Sequence, residues 1–310
     1  MEYDACAKWF VHENDPDFDF FGISNGGGAE PSDGDVIINV PRSSELRTSF
    51  WSEHESTFVP LEITTSTTRG AAAFLPHHGS ITGDGEGDGE GFERIEAAPL
   101  KILIANLSKP PASNSSQADG SNMGDMSNMS IYLAQCDLSS LPQSLQSDVP
   151  IPKLLLPSSS NTTSTIKGDI YSSSLWLGRP PTYTPFHRDP NPNLFIQLTG
   201  RKTIRLLPPA IGDAIYHELV TTRLFSPTST STSTSFSTAI RGEEMMVGPQ
   251  KTVLHDAIWN QDSIYSELVR THGLQTTLGL GDALFTPKGW WHSVKGVGQG
   301  VTASVNWWFR

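Results

Sequence analysis

Short apolar runs separated by long polar tracts make up the chain. Leu100-Lys-Ile-Leu-Ile-Ala-Asn, Ile131-Tyr-Leu-Ala-Gln and Ser174-Leu-Trp-Leu-Gly are each a few residues long and bounded by turn residues, which predicts strands. Leu194-Phe-Ile-Gln-Leu, the turn Thr199-Gly-Arg, and Lys202-Thr-Ile-Arg-Leu-Leu together predict a hairpin. The last stretch, Val301-Thr-Ala-Ser-Val-Asn-Trp-Trp-Phe, alternates and is rich in β-branched and aromatic residues. Strands at this density, with Gly and Pro between them, predict an all-β sandwich or barrel. Helices are expected only at its edges, around 42–52, 138–147, 209–224 and 259–270.

The polar tracts change how the composition is read. Residues 22–36, 79–92, 109–129, 157–166 and 226–239 are rich in Gly, Ser, Thr, Asn or acids and are expected to be solvated loops. Only 36% of the 310 residues are hydrophobic, below the roughly 45–50% of a globular domain. The 8 Trp and 14 Phe nevertheless require a packed core, so a barrel diluted by polar insertions fits better than a loosely folded chain. Within the acidic tract, Asp84, Glu86, Asp88, Gly89 and Glu90 imitate the first half of an EF-hand loop. Ile95 stands where that loop requires a bidentate glutamate, so no calcium site is expected.

Charge and cysteines exclude several classes. The formal net charge of −12 argues against non-specific binding to a phosphate backbone. No run approaches the roughly 20 apolar residues of a membrane span, and the acidic start MEYDACAKWF has neither the basic nor the apolar region of a signal peptide. Cys6 and Cys136 are too few for a disulfide framework. The expected location is cytoplasm or nucleus, neither secreted nor membrane-bound.

The candidate chemistry lies in His187-Arg-Asp189. On a strand, positions i and i+2 share a face, so both side chains could reach one metal. With 9 His and 33 acids in 310 residues, about one such triplet arises by chance, so the triplet alone decides nothing. Its surroundings do more. It stands directly before the expected hairpin, and Lys202 opens the second strand of that hairpin. A lysine inside a barrel needs an anion, and the carboxylate of an oxo acid would serve. His292, at the end of Gly281-Asp-Ala-Leu-Phe-Thr-Pro-Lys-Gly-Trp-Trp-His, is the candidate third ligand. Asn306 follows on the last strand. Two His and one carboxylate leave open positions on a metal for a cosubstrate and dioxygen.

Several blocks in order resemble one family. Ile131-Tyr-Leu-Ala-Gln, Leu175-Trp-Leu-Gly, Thr184-Pro-Phe-His-Arg-Asp with Asn193, Gly200-Arg-Lys-Thr-Ile-Arg-Leu-Leu-Pro-Pro, Gly281-Asp-Ala-Leu-Phe-Thr-Pro with Trp291-His, and the terminal Ser-Val-Asn-Trp-Trp cover roughly 131–310. This region is similar to the JmjC (cupin-like) Fe(II)/2-oxoglutarate-dependent oxygenases, and within them to the small JmjC-only protein hydroxylases of the factor-inhibiting-HIF and JmjC-domain-5 types. The resemblance implies a mainly β fold, a double-stranded β-helix (jelly-roll or cupin) barrel with peripheral helices; the long disordered insertions expected from composition are foreign to the family's compact members. It implies one domain over 1–310, with a variable segment 1–39, supporting strands and helices over 40–130, and a catalytic core over 131–310.

Carried over by position, the resemblance implies iron binding by His187, Asp189 and His292. Lys202 would pair with the distal carboxylate of 2-oxoglutarate, helped by Thr184 and Tyr132, while Asn193, Trp176 and Asn306 would line the cosubstrate pocket. Tyr183 could fill the space assigned to Thr184. The implied activity uses 2-oxoglutarate and O2 to hydroxylate a side chain of a protein or peptide substrate, releasing succinate and CO2. Hydroxylation is expected over N-demethylation, since no Cys/His zinc module accompanies the core. The alternatives are hydroxylation of a modified tRNA base or small metabolite, and a catalytically inactive cupin-type binding protein. The stretch between His187 and His292 is longer than in the compact members of the family, and the Ser/Thr run 226–239 accounts for much of the excess.

Overall fold

The structure, a computed structural model, describes residues 3–12, 43–65, 91–109, 129–156, 169–219 and 249–310. The polar tracts 22–36, 157–166 and 226–239 lie outside the described residues, as do all but the end residues of 79–92 and 109–129. The acids of the EF-hand-like stretch, Asp84 to Glu90, are also outside them.

Thirteen strands and seven α-helices follow in order among the described residues: α1 (Asp4–Lys8), β1 (Phe10–His12), β2 (Ser44–Leu46), α2 (Thr48–Trp51), β3 (Phe58–Thr65), β4 (Gly91–Pro99), α3 (Leu100–Leu107), β5 (Met129–Asp137), α4 (Gln143–Asp148), β6 (Ile170–Gly178), β7 (Tyr183–Arg188), β8 (Asn193–Thr199), β9 (Arg201–Leu207), α5 (Pro209–Leu219), α6 (Pro249–Trp259), α7 (Ser266–His272), β10 (Leu274–Leu278), β11 (Ala283–Thr286), β12 (Trp291–Val297) and β13 (Thr302–Phe309). A seven-stranded sheet, β11-β8-β13-β6-β5-β3-β4, and a four-stranded sheet, β10-β9-β12-β7, form the body, and β1 pairs with β2. Every strand pairing is antiparallel. This is the expected mainly β, cupin-type barrel with peripheral helices.

Two apolar layers cover the barrel. Against the large sheet, Trp9, Trp51, Leu100, Leu103 and Leu107 join Leu61, Leu133, Leu177 and Trp307 in one buried cluster. Against the small sheet, Ile215, Leu254 and Val269 of α5, α6 and α7 close over Phe186, Leu207 and Trp291. Burial of this apolar surface drives the two sheets and their helices together. The interior between the sheets holds a smaller apolar set, Phe195, Ile204, Leu206, Leu278 and Val294, and most of the buried polar residues discussed below.

Two expectations are corrected. Leu100–Leu107 is a helix, not a strand. Its buried residues are Leu100, Leu103, Ile104 and Leu107, the i, i+3, i+4, i+7 stripe of a helix lying on a core. The second concerns the expected hairpin over 194–207. β8 pairs with β11 and β13, whereas β9 pairs with β10 and β12. The chain crosses from one sheet to the other at Gly200, whose φ is +62° and whose missing Cβ would lie 2.3 Å from Val301 O. Only glycine meets both conditions without strain.

The expected edge helices are partly displaced. The 42–52 stretch holds β2 before α2, and 138–147 holds a 3-10 turn before α4. Over 209–224, α5 accounts for the described part, 209–219. Of the helix expected over 259–270, only Trp259, the last residue of α6, and the part from Ser266 onward, in α7, are helical.

Candidate metal centre

The ladder between β7 and β12 sets the site. His187 pairs with His292 and Arg188 with Trp291, but the register then slips, so that Val294 pairs with Thr184. Pro185 lies in the slipped stretch. It has no N–H for the ladder, and prolines within strands are confined to edges and bulges; β7 is an edge strand. Strict alternation would put Thr184 and His187, three residues apart, on opposite faces. The slip brings both onto the inner face, where both line one cavity. Tyr183, the competing candidate, packs instead on His255 of α6, ring centroids 4.4 Å apart.

His187, Asp189 and His292 converge there. His187 Nε2 lies 3.9 Å from Asp189 Oδ1, and His292 Nε2 lies 3.7 Å from Asp189 Oδ2. One ligand atom from each of the three falls within 4.8 Å of the others. His187 Nδ1 is 2.8 Å from Pro185 O, and His292 Nδ1 is 3.4 Å from Trp290 O. A carbonyl only accepts, so each Nδ1 carries a hydrogen, and Nε2 is the ring nitrogen that faces the cluster and can offer a lone pair to a metal. Burial, and then the neighbouring His187 ring, holds His292 well below its ordinary basicity, as a neutral imidazole.

The carboxylate is oriented by two amides. Asn193 Nδ2 donates to Asp189 Oδ2 at 3.0 Å, and Asn306 Nδ2 donates to Asn193 Oδ1 at 3.0 Å. An ionised carboxylate accepts only, so Asn193 must turn its NH2 to Asp189 and its oxygen to Asn306. Asn306 Oδ1 is then left buried in the cavity wall without a partner among the described residues.

Deeper in the barrel, Lys202 on β9 is 2% exposed. Its Nζ donates to Ser304 Oγ at 2.7 Å and to the Tyr132 hydroxyl at 3.4 Å. It faces the Tyr132 and Phe195 rings at 5.8 and 5.7 Å. No carboxylate pairs with it among the described residues, and burial pushes it down to about 7. Burial, with Glu62 near it, pushes the Tyr132 phenol up, so it stays protonated. Trp176 Nε1 is a buried donor with no partner among the described residues.

The structure thus gathers all nine sequence-predicted residues. Asp189 stands just past the end of β7, and the other eight line a cavity of about 450 Å3, counting its open mouth. The small sheet supplies Thr184, His187, Lys202 and His292, and the large sheet supplies Tyr132, Trp176, Asn193 and Asn306. Sequence reasoning missed Phe195, Thr286, Trp308 and the lysine partner Ser304. A period-2 reading outward from Asn193 and Asn306 finds three of these four, since Phe195, Ser304 and Trp308 are each two residues away on the same strand face.

The donor set can be tested against the groups it would hold. Two imidazole nitrogens and one carboxylate on one side of an open cavity match the facial set suited to Fe(II). The partnerless Trp176 indole N–H and the carboxylate-free Lys202 ammonium suit an acid further in. Both groups fit.

Facing antiparallel sheets with a His/Asp/His cluster and a buried lysine between them define a cupin-type barrel protein whose interior carries residues able to hold a metal. The family model described as the cupin-like domain matches residues 59–310, and the chain belongs to that family. Its relatives include Jumonji C domain-containing protein 5 of Drosophila melanogaster, 29% identical over 178 residues, 57% of this chain and 36% of the relative. JmjC domain-containing protein D of Dictyostelium discoideum is 29% identical over 171 residues, 54% of this chain and 33% of the relative. Lysine-specific demethylase JMJ30 of Arabidopsis thaliana is 25% identical over 177 residues, 57% of this chain and 33% of the relative. The chain spans about a third of the length of these relatives. The resemblance to JmjC proteins read from the sequence holds at the level of the family. No helix among the described residues is long and apolar enough to cross a membrane.

Proposed function

We propose that the chain is an Fe(II)- and 2-oxoglutarate-dependent dioxygenase that hydroxylates a side chain of a polypeptide partner, in one domain whose catalytic core is 131–310. The observation that carries this reading is Lys202: a buried amine without a carboxylate among the described residues, in the same cavity as the two histidines of the His/Asp/His cluster. A hydrolytic zinc site would have no use for it, whereas an acid bound at both ends, by metal and by lysine, uses both features.

In this reading His187, Asp189 and His292 hold the iron. When bound, the iron couples oxidative decarboxylation of 2-oxoglutarate to C–H hydroxylation, giving succinate and CO2. The chain's own part is positional. The Pro185 and Trp290 carbonyls fix both imidazole tautomers, and Asn193, held by Asn306, fixes the carboxylate. Lys202 supplies positive charge to the far carboxylate of the cosubstrate, with Tyr132, Thr184 and Trp176 as further donors. The apolar walls, Phe195, Ile204 and Val294, keep water from those contacts.

The relative named as a lysine-specific demethylase favours a second reading, N-demethylation through the same site. Protein loaded with Fe(II) under anaerobic conditions, then given 2-oxoglutarate and O2, is expected to form succinate, and His187→Ala and Lys202→Ala are expected to abolish it. No succinate and no retained iron in the unsubstituted protein would sink the proposal. A screen of peptides, methylated peptides and tRNA, read for a gain of 16 mass units or for formaldehyde, separates hydroxylation from demethylation and polypeptide from nucleic acid.

A further inference from the structure

The residues flanking the three ligands are tied together on the outer face of the small sheet. Arg188 stands between His187 and Asp189, and Trp291 directly precedes His292. The two are cross-strand partners, as His187 and His292 are on the inner face. Both are held by one carboxylate. Asp213 Oδ1 on α5 accepts from Arg188 Nη1 at 2.5 Å and from Trp291 Nε1 at 2.9 Å. The Arg188 guanidinium also lies over the Trp291 ring, 5.3 Å from its centroid. The approach of α5 is close: a Cβ on Gly212 would stand 2.1 Å from Trp291 Cδ1, so only glycine lets the helix lie there. The Trp291 ring also stacks on Phe186, with centroids 4.7 Å apart.

The geometry points to Asp213 as a positioning residue for the metal centre, acting through Arg188 and Trp291. This rests on the metal reading proposed above. β7 is an edge strand, paired on one side only among the described residues, and its ladder slips over Pro185 and Phe186, immediately before His187. The ladder alone therefore fixes the end of β7 loosely. The carboxylate outside the barrel fastens that end to β12, and with it the spacing of His187 and Asp189 from His292. The ion pair is half-exposed, with side-chain exposures of 33% for Arg188 and 49% for Asp213. Such pairs contribute little to global stability. The stability lost with the carboxylate comes instead from the buried Trp291 indole, which loses its acceptor. Asp213→Asn, which keeps an acceptor there, separates that loss from the effect on ligand geometry.

The test uses Co(II) in place of iron, in the whole chain and without turnover. Asp213→Ala is expected to weaken Co(II) binding by about tenfold or more, the usual size for losing a group that orients a metal ligand. It is also expected to shift the visible d–d bands while the circular dichroism spectrum stays that of the unsubstituted protein. Asp213→Asn keeps an acceptor for Trp291 but not the ion pair, and is expected to fall between the two. If Asp213→Ala does not fold, Asp213→Asn and Arg188→Met carry the test. Wild-type affinity and bands in the folded variants overturn the positioning role. Absence of Co(II) binding by the unsubstituted protein overturns the metal reading itself, a different outcome.

Discussion

Lys202 Nζ donates to Ser304 Oγ at 2.7 Å across the gap between the two sheets, joining an inward residue of β9 to one of β13. Hydroxyls are its only polar partners among the described residues, and burial pushes the amine down to about 7. A carboxylate bound beside it favours the charged form, so binding above pH 7 draws a proton onto the amine. The affinity for 2-oxoglutarate is expected to be level below pH 7 and to fall by up to about tenfold per pH unit above it. Titration calorimetry in two buffers of different ionisation enthalpy reads the same event as proton uptake near one per site at pH 8. Constant affinity without proton uptake would remove Lys202 from the cosubstrate site.

The same amine sets a cost in stability. Between about 7 and the ordinary value of 10.5, the unfolded chain holds a proton that the folded chain has shed. Stability from this site therefore rises with pH across that window and is lowest below 7, by on the order of 5 kcal/mol at most. Lys202→Met keeps the bulk and removes the charge. It is expected to raise the Tm at pH 6.5, with a gain that shrinks by pH 9, and to lose 2-oxoglutarate binding altogether. Calorimetric unfolding at the two pH values checks it; a Met variant less stable than the parent at pH 6.5 contradicts the account.

The slip at Pro185 separates two neighbouring hydroxyl residues by function. Thr184 lines the cavity, and Tyr183 packs outside it on His255. A hydrogen bond to a charged group is worth ~1.5–3 kcal/mol. Thr184→Val is therefore expected to raise the KM for 2-oxoglutarate by about tenfold or more, with a smaller change in kcat. Tyr183→Phe is expected to leave both within about twofold. Steady-state succinate formation distinguishes them, and the reverse ranking would place Tyr183 in the site.

What the sequence revealed and what it hid follow from the range over which each signal acts. The three metal-ligand candidates and Lys202 stand in short motifs, so their residue types were readable, and the fold brings them to one cavity. The choice between Thr184 and Tyr183 was not readable, because it depends on a register slip that only the partner strand β12 defines. The 194–207 stretch reads as a hairpin locally, but each half finds its partners much later in the chain, at β11 and β13 or at β10 and β12. Burial hints at this: β8 is buried at every residue, whereas β9 alternates. A true hairpin in one two-layered sheet would give both halves similar patterns. Asp213 was invisible, since nothing near it in sequence marks its two distant donors.

The misread segment 100–107 offers a direct test of strand against helix. In a strand, Lys101, Leu103 and Ala105 would share one face and respond alike to substitution. In α3, Lys101 and Ala105 are exposed, while Leu103 is fully buried in the cluster with Leu61 and Leu133. Leu103→Ala is expected to cost ~2–5 kcal/mol through the lost burial and the cavity left behind. Ala105→Lys, an exposed exchange between good helix formers, is expected to stay within ~0.5 kcal/mol. Urea unfolding of both variants measures this. Because α3 packs on the outer side of the large sheet, neither variant is expected to change Co(II) affinity, so a loss of stability here stays separate from a loss of the site. Equal destabilisation by the two variants would return the segment to a strand.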